Sequence, residues 1–110
     1  MKIAVFADIH SNYLVFKKAM ADAKKRNVTD YIFLGDYVTD GFDANKIIDI
    51  IKDTKGYAIN GNRELSVLLY HENKIKSWDN LIQYKSMKYG HDCLSKKSID
   101  FIKSLDVYQI

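Results

Sequence analysis

Three short apolar runs in the first half of the chain, each followed by polar residues, are the feature that most constrains the fold. The runs are Ile3–Ala7, Tyr31–Leu34 and Tyr57–Ile59. They are too short for ordinary helices and rich in β-branched or aromatic residues, which indicates strands buried on both faces. Because helical patterns separate them, the sequence predicts an α/β fold with a parallel β-α-β-α-β core and right-handed crossovers.

Apolar residues at helical spacing fill the two segments between these strands. The first helix has Ser11 or Asn12 as its N-cap. The second has Asp43 as its N-cap and Gly56 just past its end. The periodic residues are Phe16, Ala19, Met20 and Ala23 in the first helix, and Ala44, Ile47, Ile48 and Ile51 in the second.

The second half of the chain is predicted to be mainly helical. One helix follows Arg63, a second begins near Trp78 with Ser77 as its cap, and a third spans Leu94–Leu105 with Ser95 as its N-cap. The last apolar run, Val107–Ile110, could begin a fourth strand. The expected architecture is therefore the β-α-β-α-β core followed by helices.

Composition restricts the compartment and the partners. At 110 residues the chain is a single domain, 1–110, and its net charge of +3 comes from scattered residues, which predicts no specific nucleic-acid partner. One cysteine, Cys93, excludes an intramolecular disulfide and favours a reducing compartment. The apolar N-terminus ends at Asp8, too early for a signal peptide or a membrane span. We expect a cytoplasmic protein with no membrane partner.

Residues able to bind metals follow each predicted strand. The first strand ends in Asp8-Ile9-His10, the second in Gly35-Asp36, and the third in Asn60-Gly61-Asn62-Arg63. Carboxyl ends of parallel strands share one edge of the sheet, where the sites of such folds lie. We expect these groups to meet there. Asp40, which precedes Gly41, is interpreted as a turn residue.

The residue types at this edge indicate a divalent metal site. Carboxylates brought close together repel one another unless a cation lies between them. A histidine with carboxylates and an amide oxygen suits Mn²⁺, Fe or Zn²⁺ better than Ca²⁺. Gly35 and Gly61 allow the backbone to turn sharply beside an ion or a phosphate.

The order of these motifs resembles that of the calcineurin-like metallophosphoesterases. That signature is Asp-x-His, then Gly-Asp-x-x-x-x-Gly, then Gly-Asn-x-[Asp/Glu], and all three are present with Asp36 28 residues after Asp8 and Asn62 26 residues after Asp36. The chain is similar to the small bacterial and archaeal branch, which includes phosphodiesterases and dinucleoside tetraphosphate hydrolases. The resemblance extends from Met1 to about Leu105.

The resemblance implies roles for five residues. Asp8 and His10 would bind a first metal, Asp36 would bridge two metals, and Asn62 would bind the second. Arg63 stands where most members carry a histidine that assists the leaving group, so this arginine is expected to contact a phosphate instead. The implied fold is the first half of the family's four-layer α/β sandwich, and the implied cofactors are divalent ions, Mn²⁺ first, then Fe or Zn²⁺.

The chain departs from the family at the later metal ligands. It contains no Gly-His-x-His motif, and the other histidines, His71 and His91, fall inside predicted helices and are interpreted as helix residues. Glu64 is expected to be structural. The sequence therefore predicts a truncated domain that hydrolyses phosphate esters, nucleotides among them, with a metal-activated water, weakly or not at all in this form. The alternative is an inactive metal- or phosphate-binding module able to form dimers.

The two faces of the predicted sheet suggest an assembly. Alternate strand residues share a face, which groups Ile3, Val5, Ile32 and Leu34 on one side and Ala4, Phe6, Tyr31 and Phe33 on the other. The first two helices can cover only one of these apolar faces. We expect the other to be covered by a second copy of the chain, giving a homodimer, or by the helices between Trp78 and Leu105.

Overall fold

The computed structural model describes residues 1–75 and 81–107. Strands and helices alternate in the first half and helices follow, which confirms the predicted α/β class. The elements are β1 (Ile3–Phe6), α1 (Tyr13–Lys25), β2 (Asp30–Phe33), α2 (Ala44–Asp53), β3 (Gly56–Ala58), α3 (Asn62–His71), α4 (Leu81–Asp92) and α5 (Lys96–Ser104).

The three strands form one parallel sheet in the order β1-β2-β3. Val5 pairs with Ile32, and Ile32 pairs with Tyr57. In this register all three carboxyl ends reach the same edge. The segments that begin at Asp8, Asp36 and Asn62 therefore leave the sheet side by side, as the motif order predicts.

The core lies on one side of the sheet. Phe33 from β2 is 1% exposed, and its ring centroid is 5.6 Å from that of Phe6 in β1. Phe16 of α1 packs edge-on against Phe6 at 5.3 Å. All five helices contribute buried residues to the same cluster: Phe16, Ile47, Ile48, Val67, Met87, Ile99 and Ile102 are members. The helices therefore share one face of the sheet.

The opposite face of the sheet is open to solvent. Ile3 is 49% exposed, Val5 58%, Leu34 45% and Tyr57 63%. The prediction that the strands are buried on both faces is wrong for this side, because α4 and α5 pack into the same core as α1 and α2. Among the described residues, no helix lies across it, so helices from the second half do not act as its cover.

Side-chain capping explains where α1 and α5 begin, whereas Asp43 precedes α2 as predicted but makes no side-chain capping bond. The Asn12 side chain accepts the N–H of Val15 at 3.3 Å, and the Ser95 hydroxyl accepts the N–H of Ser98 at 3.1 Å, so both predicted N-caps are confirmed. α2 ends at Asp53 with Thr54 as its C-cap, so Gly56 lies just past the end of the helix, as predicted, where it is the first residue of β3. A Cβ at Gly56 would collide with the carbonyl oxygen of Tyr31, which explains the glycine there.

Two predicted segments lie wholly or partly outside the described residues. The start of the helix expected at Ser77 and Trp78 falls in the range 76–80, and most of the possible fourth strand falls in 108–110. Within 1–75 and 81–107, no helix combines the length and the apolar character needed to cross a bilayer.

Candidate metal centre

The loops that follow β1 and β2 have an unusual backbone. Asp8, His10 and Asp36 have φ values of 55°, 47° and 58°, in the left-handed region that residues other than glycine seldom adopt. Thr39, with a φ of 74°, is the more strained case because its Cβ is branched. Such conformations cluster at functional sites, where the surrounding structure holds them.

These two loops bring three metal-competent side chains together. One ligand atom each from Asp8, His10 and Asp36 lie within 4.8 Å of one another. His10 Nε2 is 3.7 Å from Asp8 Oδ1, and the Asp8 side chain is 75% exposed. The predicted first-metal residues therefore meet at the carboxyl edge of the sheet, with Asp8 open to solvent.

Backbone hydrogen bonds hold the two loops in register. The N–H of His10 donates to the carbonyl of Asp36 at 2.8 Å, and the N–H of Ser11 donates to the carbonyl of Tyr37 at 2.9 Å. The His10 ring and the two carboxylates are therefore attached to a backbone that hydrogen bonds between the loops hold in place. Their relative positions are set by this backbone and not by contacts between long side chains.

Glu64 supports the second loop from below. Its side chain is fully buried, and its two oxygens accept four backbone N–H groups, at 2.6 Å from Asp36, 2.8 Å from Tyr37, 3.2 Å from Val38 and 2.8 Å from Gly61. Burial raises the pKa of the Glu64 carboxyl, and the same backbone N–H groups act in the opposite direction. The structural role expected for Glu64 is what these contacts show.

Glycines let the loops approach each other closely. Gly35 has a φ of +102°, and a Cβ there would collide with the backbone nitrogen of Gly61. A Cβ at Gly61 would lie 2.5 Å from Asp36 Oδ1. Both predicted turn glycines are thus needed for the Asp36 carboxylate to sit against the start of α3.

The start of α3 borders the Asp36 carboxylate. The backbone N–H of Arg63 donates to Asp36 Oδ1 at 3.0 Å. Asn62 is the first residue of α3 and is exposed, and it stands between Gly61 and Arg63, which both adjoin Asp36. The structure therefore brings Asn62 and Arg63 to the same edge as the other three residues. The positive end of the helix dipole also favours anions there.

Asp40 has a contact that its interpretation as a turn residue missed. Its Oδ2 lies 3.4 Å from His10 Nδ1, the ring nitrogen that faces away from Asp8. The nearby sequence carries no sign of this, since Asp-Gly is an ordinary turn dipeptide. Histidines that bind metals usually have a carboxylate or carbonyl beside the second nitrogen, and that pattern could have prompted a search for one.

His71 and His91 are helix residues, as interpreted from the sequence, and lie away from this edge. They are near the C-terminal ends of α3 and α4, where His71 Nδ1 is 2.9 Å from His91 Nε2. With a rise of about 1.5 Å per residue, the length of α3 separates His71 from Asn62 by about 14 Å. Neither histidine adjoins the candidate centre.

The donor set fits a divalent ion. The three ligand atoms lie within 4.8 Å of one another, close enough for small side-chain rotations to let them share one ion with bonds of about 2.0–2.2 Å. Two carboxylates neutralise a 2+ charge, and the imidazole selects transition metals over Ca²⁺. Asp8, His10 and Asp36 would hold this ion.

Known proteins share the sequence pattern and the fold. A family model for calcineurin-like phosphoesterases matches residues 1–109. An uncharacterized protein of Methanocaldococcus jannaschii is 35% identical over 66 residues, which are 60% of this chain and 27% of that protein. A crystal structure of a metallophosphoesterase from Sphaerobacter thermophilus superposes on the whole chain with a TM-score of 0.79 at 21% identity.

The chain spans only part of these relatives: 43% of the length of the Sphaerobacter thermophilus protein and about a quarter of the archaeal one. The structural match concerns the fold, since its identity is low. The family match is wider, because it covers nearly every residue and includes all three motifs at the sheet edge. The resemblance seen in the sequence is confirmed, and the chain belongs to the calcineurin-like phosphoesterase family.

Proposed function

We propose that this chain is a metal-dependent phosphoesterase whose centre is the carboxyl edge of the sheet. The observation that carries the proposal is the convergence of Asp8, His10 and Asp36 within 4.8 Å at that edge. Family membership supports hydrolysis of phosphate esters. Bound divalent ions would supply a water of lowered pKa and would offset phosphate charge.

The residues of the chain divide the work at this centre. Asp8 and His10 would hold a first ion, and Asp36 would contribute to it and to a second ion, for which Asn62 would be a further ligand. Arg63, the second residue of α3, lies next to Asp36, and its guanidinium would bind a phosphate through two parallel hydrogen bonds. The positive end of the α3 helix dipole would favour the same anion.

Mn²⁺ is the ion we propose first, with Fe or Zn²⁺ as alternatives. One imidazole with two carboxylates and an amide oxygen is a mixed nitrogen and oxygen set, and carboxylates and amides favour Mn²⁺. The test is metal content by mass spectrometry after growth in defined metals, followed by calorimetric titration of the metal-free protein. Tighter binding of Ca²⁺ than of Mn²⁺ would contradict the proposal.

Activity is proposed to be weak, because the centre has few protein donors. Among the described residues, Asp8, His10 and Asp36 would supply three ligands to one ion, whereas Asp36 and Asn62 would supply two to the other. The test is hydrolysis of bis(p-nitrophenyl) phosphate with Mn²⁺, assayed beside a full-length metallophosphoesterase of the family. Turnover abolished by Asp36→Asn supports an enzyme. Metal or phosphate binding without turnover would favour the second candidate, an inactive binding module.

Nucleotides are the substrate class we propose within the phosphate esters. Support comes from the branch that the motifs resemble, and Arg63 supplies a fork that suits a phosphate group. Comparison of dinucleoside polyphosphates with p-nitrophenyl esters at equal concentration tests it. Equal specificity constants for the two would remove the support for a nucleotide.

A cytoplasmic location is proposed from the cysteine content. Cys93 is a free, partly buried thiol and the only cysteine of the chain, which suits a reducing compartment. Fractionation of cells that express the chain would test this, and recovery outside the cytoplasm would contradict it.

A homodimer through the open sheet face is proposed from its apolar exposure. Three strands about 4.8 Å apart and about 13 Å long present about 200 Å² in projection, well below the about 800 Å² per partner of a standard stable interface. Burial of that area on both copies gives about 10 kcal/mol, which is comparable to the about 4–15 kcal/mol that association costs. Pairing is therefore expected to be weak.

A further inference from the structure

A line of three side chains connects α4 to the candidate metal centre. The Ser86 hydroxyl of α4 donates to Asp40 Oδ1 at 2.7 Å. The other oxygen of the same carboxylate, Oδ2, lies 3.4 Å from His10 Nδ1. The opposite ring nitrogen, Nε2, points toward Asp8. The Ser86–Asp40–His10 line thus runs from a helix of the second half to a proposed metal ligand.

Buried His10 Nδ1 has no formed hydrogen bond among the described residues. The distance of 3.4 Å between His10 Nδ1 and Asp40 Oδ2 is a few tenths of an ångström longer than a hydrogen bond between nitrogen and oxygen. The Asp40 carboxylate is the nearby group that could accept the Nδ1 proton. An unpaired buried nitrogen is destabilising by about 1–3 kcal/mol. A small rotation of the carboxylate or the ring removes that penalty by closing the contact.

α4 is seated firmly enough to fix the Asp40 loop. Gly90 lies against the loop so closely that a Cβ there would be 2.9 Å from Thr39 Cα and 3.2 Å from its nitrogen. Ser86 is one turn earlier on the same face of the helix. Met87, next to Ser86, is fully buried in the core. The pair Ser86 and Gly90 therefore holds the strained Thr39-Asp40 backbone from the outside.

We propose that Ser86 and Asp40 are positioning residues for His10. The carboxylate keeps the proton on Nδ1 and fixes the ring plane, so that Nε2 presents its lone pair toward Asp8 and Asp36. The Ser86 hydroxyl fixes the carboxylate in turn. This inference rests on the proposed metal-dependent function for its consequence, but the tautomer and orientation of His10 are properties of the metal-free chain.

A purely structural role predicts something different. If Ser86 and Asp40 only joined α4 to the loop, their removal would lower the thermal stability and leave the His10 ring tautomer unchanged. The positioning role predicts a changed distribution between the two neutral tautomers. It also predicts metal affinity lower by about tenfold or more, the usual effect of losing a hydrogen-bond partner of a metal-bound histidine.

The experiment compares Asp40→Asn, Ser86→Ala and Ser86→Thr with the natural chain. Nitrogen-15 NMR of the metal-free protein in alkaline buffer reports the His10 tautomer, and calorimetry with Mn²⁺ reports affinity. Ser104→Ala is the matched control, because it removes a helix hydroxyl that bonds only a local carbonyl, that of Phe101. We expect Asp40→Asn and Ser86→Ala to change both the His10 tautomer and the Mn²⁺ affinity. Ser86→Thr, which keeps the hydroxyl, and Ser104→Ala should leave both as they are in the natural chain.

Two results would separate the inference from the proposed function. Absence of Mn²⁺ binding by the natural chain would overturn the proposed function, while a tautomer shift in Asp40→Asn would still support the positioning of His10. An unchanged His10 spectrum in folded Asp40→Asn would overturn the inference even if metal binding is strong. Should Asp40→Asn fail to fold, Ser86→Ala decides by the same spectrum.

Discussion

Glu64 and Asp36 are joined by a hydrogen bond of 2.6 Å in which the backbone N–H of Asp36 donates to Glu64 Oε1. Through this bond a buried carboxylate in the first turn of α3 sets the backbone of a proposed metal-bridging residue at the end of β2. The same oxygen accepts the N–H of Gly61 at 2.8 Å. Glu64 thus links the segment that follows β2 to the segment that follows β3, next to the candidate centre.

Replacement of Glu64 by glutamine is expected to destabilise the fold and to weaken metal binding. The amide keeps the shape but turns one oxygen into a donor that faces backbone N–H groups, so two acceptor contacts are lost in a buried place. Hydrogen bonds to charged groups are worth about 1.5–3 kcal/mol each, and we expect the free energy of unfolding to fall by about 3 kcal/mol. Urea denaturation of the metal-free protein measures this.

Glu72→Gln is the matched control for that experiment. Glu72 ends the same helix but is exposed, and its partner is Lys74 at 3.1 Å. A surface pair contributes about 0–1 kcal/mol. Equal losses in the two variants would show that Glu64 acts through helix stability in general, against the role given to it here.

Gly61→Ala is expected to displace the Asp36 carboxylate. The added Cβ would stand 2.5 Å from Asp36 Oδ1 and 2.8 Å from the Asp36 backbone nitrogen, closer than real Cβ contacts occur, so the Asp36 backbone must shift together with its side chain. We expect Mn²⁺ affinity to fall by about tenfold or more, as measured by calorimetry. Leu65→Ala, an exposed change one turn further along α3, should leave affinity as it is, and retained affinity in Gly61→Ala would contradict the geometry.

Local sequence was sufficient for the elements and for the edge of the sheet. Strand runs, helical periodicity and caps such as Asn12 and Ser95 depend on neighbours within one turn, so they can be recognised without the fold. Parallel topology then brings Asp8 and Asp36 to one edge by necessity. These predictions needed no knowledge of tertiary packing.

What the sequence could not supply are relations between distant segments. The sequence predicts Val5 to be buried because an apolar run looks the same whether one face of its strand or both are covered, and only the placement of α4 and α5 decides between the two. The contact of Asp40 with Ser86 joins residues 46 positions apart across the fold. Such pairs depend on how helices dock, which one sequence does not specify.

Asp36→Asn is expected to weaken both proposed metal positions. A bridging carboxylate supplies negative charge to each ion, and an amide supplies none, while the hydrogen bond that Asp36 Oδ1 receives from Arg63 can remain. We expect two-site Mn²⁺ binding to become one weak site, measured by calorimetry. Asp49→Asn, on the exposed surface of α2, is the control. Unchanged stoichiometry and affinity in Asp36→Asn would refute the bridging role.

Arg63→Ala tests the phosphate contact without disturbing Asp36. The contact between these residues uses the Arg63 backbone N–H, which alanine retains. Loss of a forked, charge-assisted contact is worth about 1.5–3 kcal/mol, so inhibition by inorganic phosphate should weaken by about tenfold or more. Arg63→Lys should keep only part of the inhibition by phosphate, because the lysine ammonium cannot form the two parallel hydrogen bonds of a guanidinium. Equal inhibition of all three chains would remove Arg63 from the site.

Val5→Lys tests whether the open sheet face pairs with a second copy. Val5 lies on that face in the edge strand β1 with 58% of its surface exposed, so a lysine should be tolerated by the fold but would bring a charge into the apolar interface of a pair. We expect the natural chain to associate as its concentration rises toward millimolar in sedimentation equilibrium, and Val5→Lys to stay monomeric. Ile82→Lys is the control, since Ile82 is 82% exposed on α4 and outside the sheet face. A natural chain that remains monomeric at millimolar concentration, or an equal effect of both variants, would show that this face is not the interface.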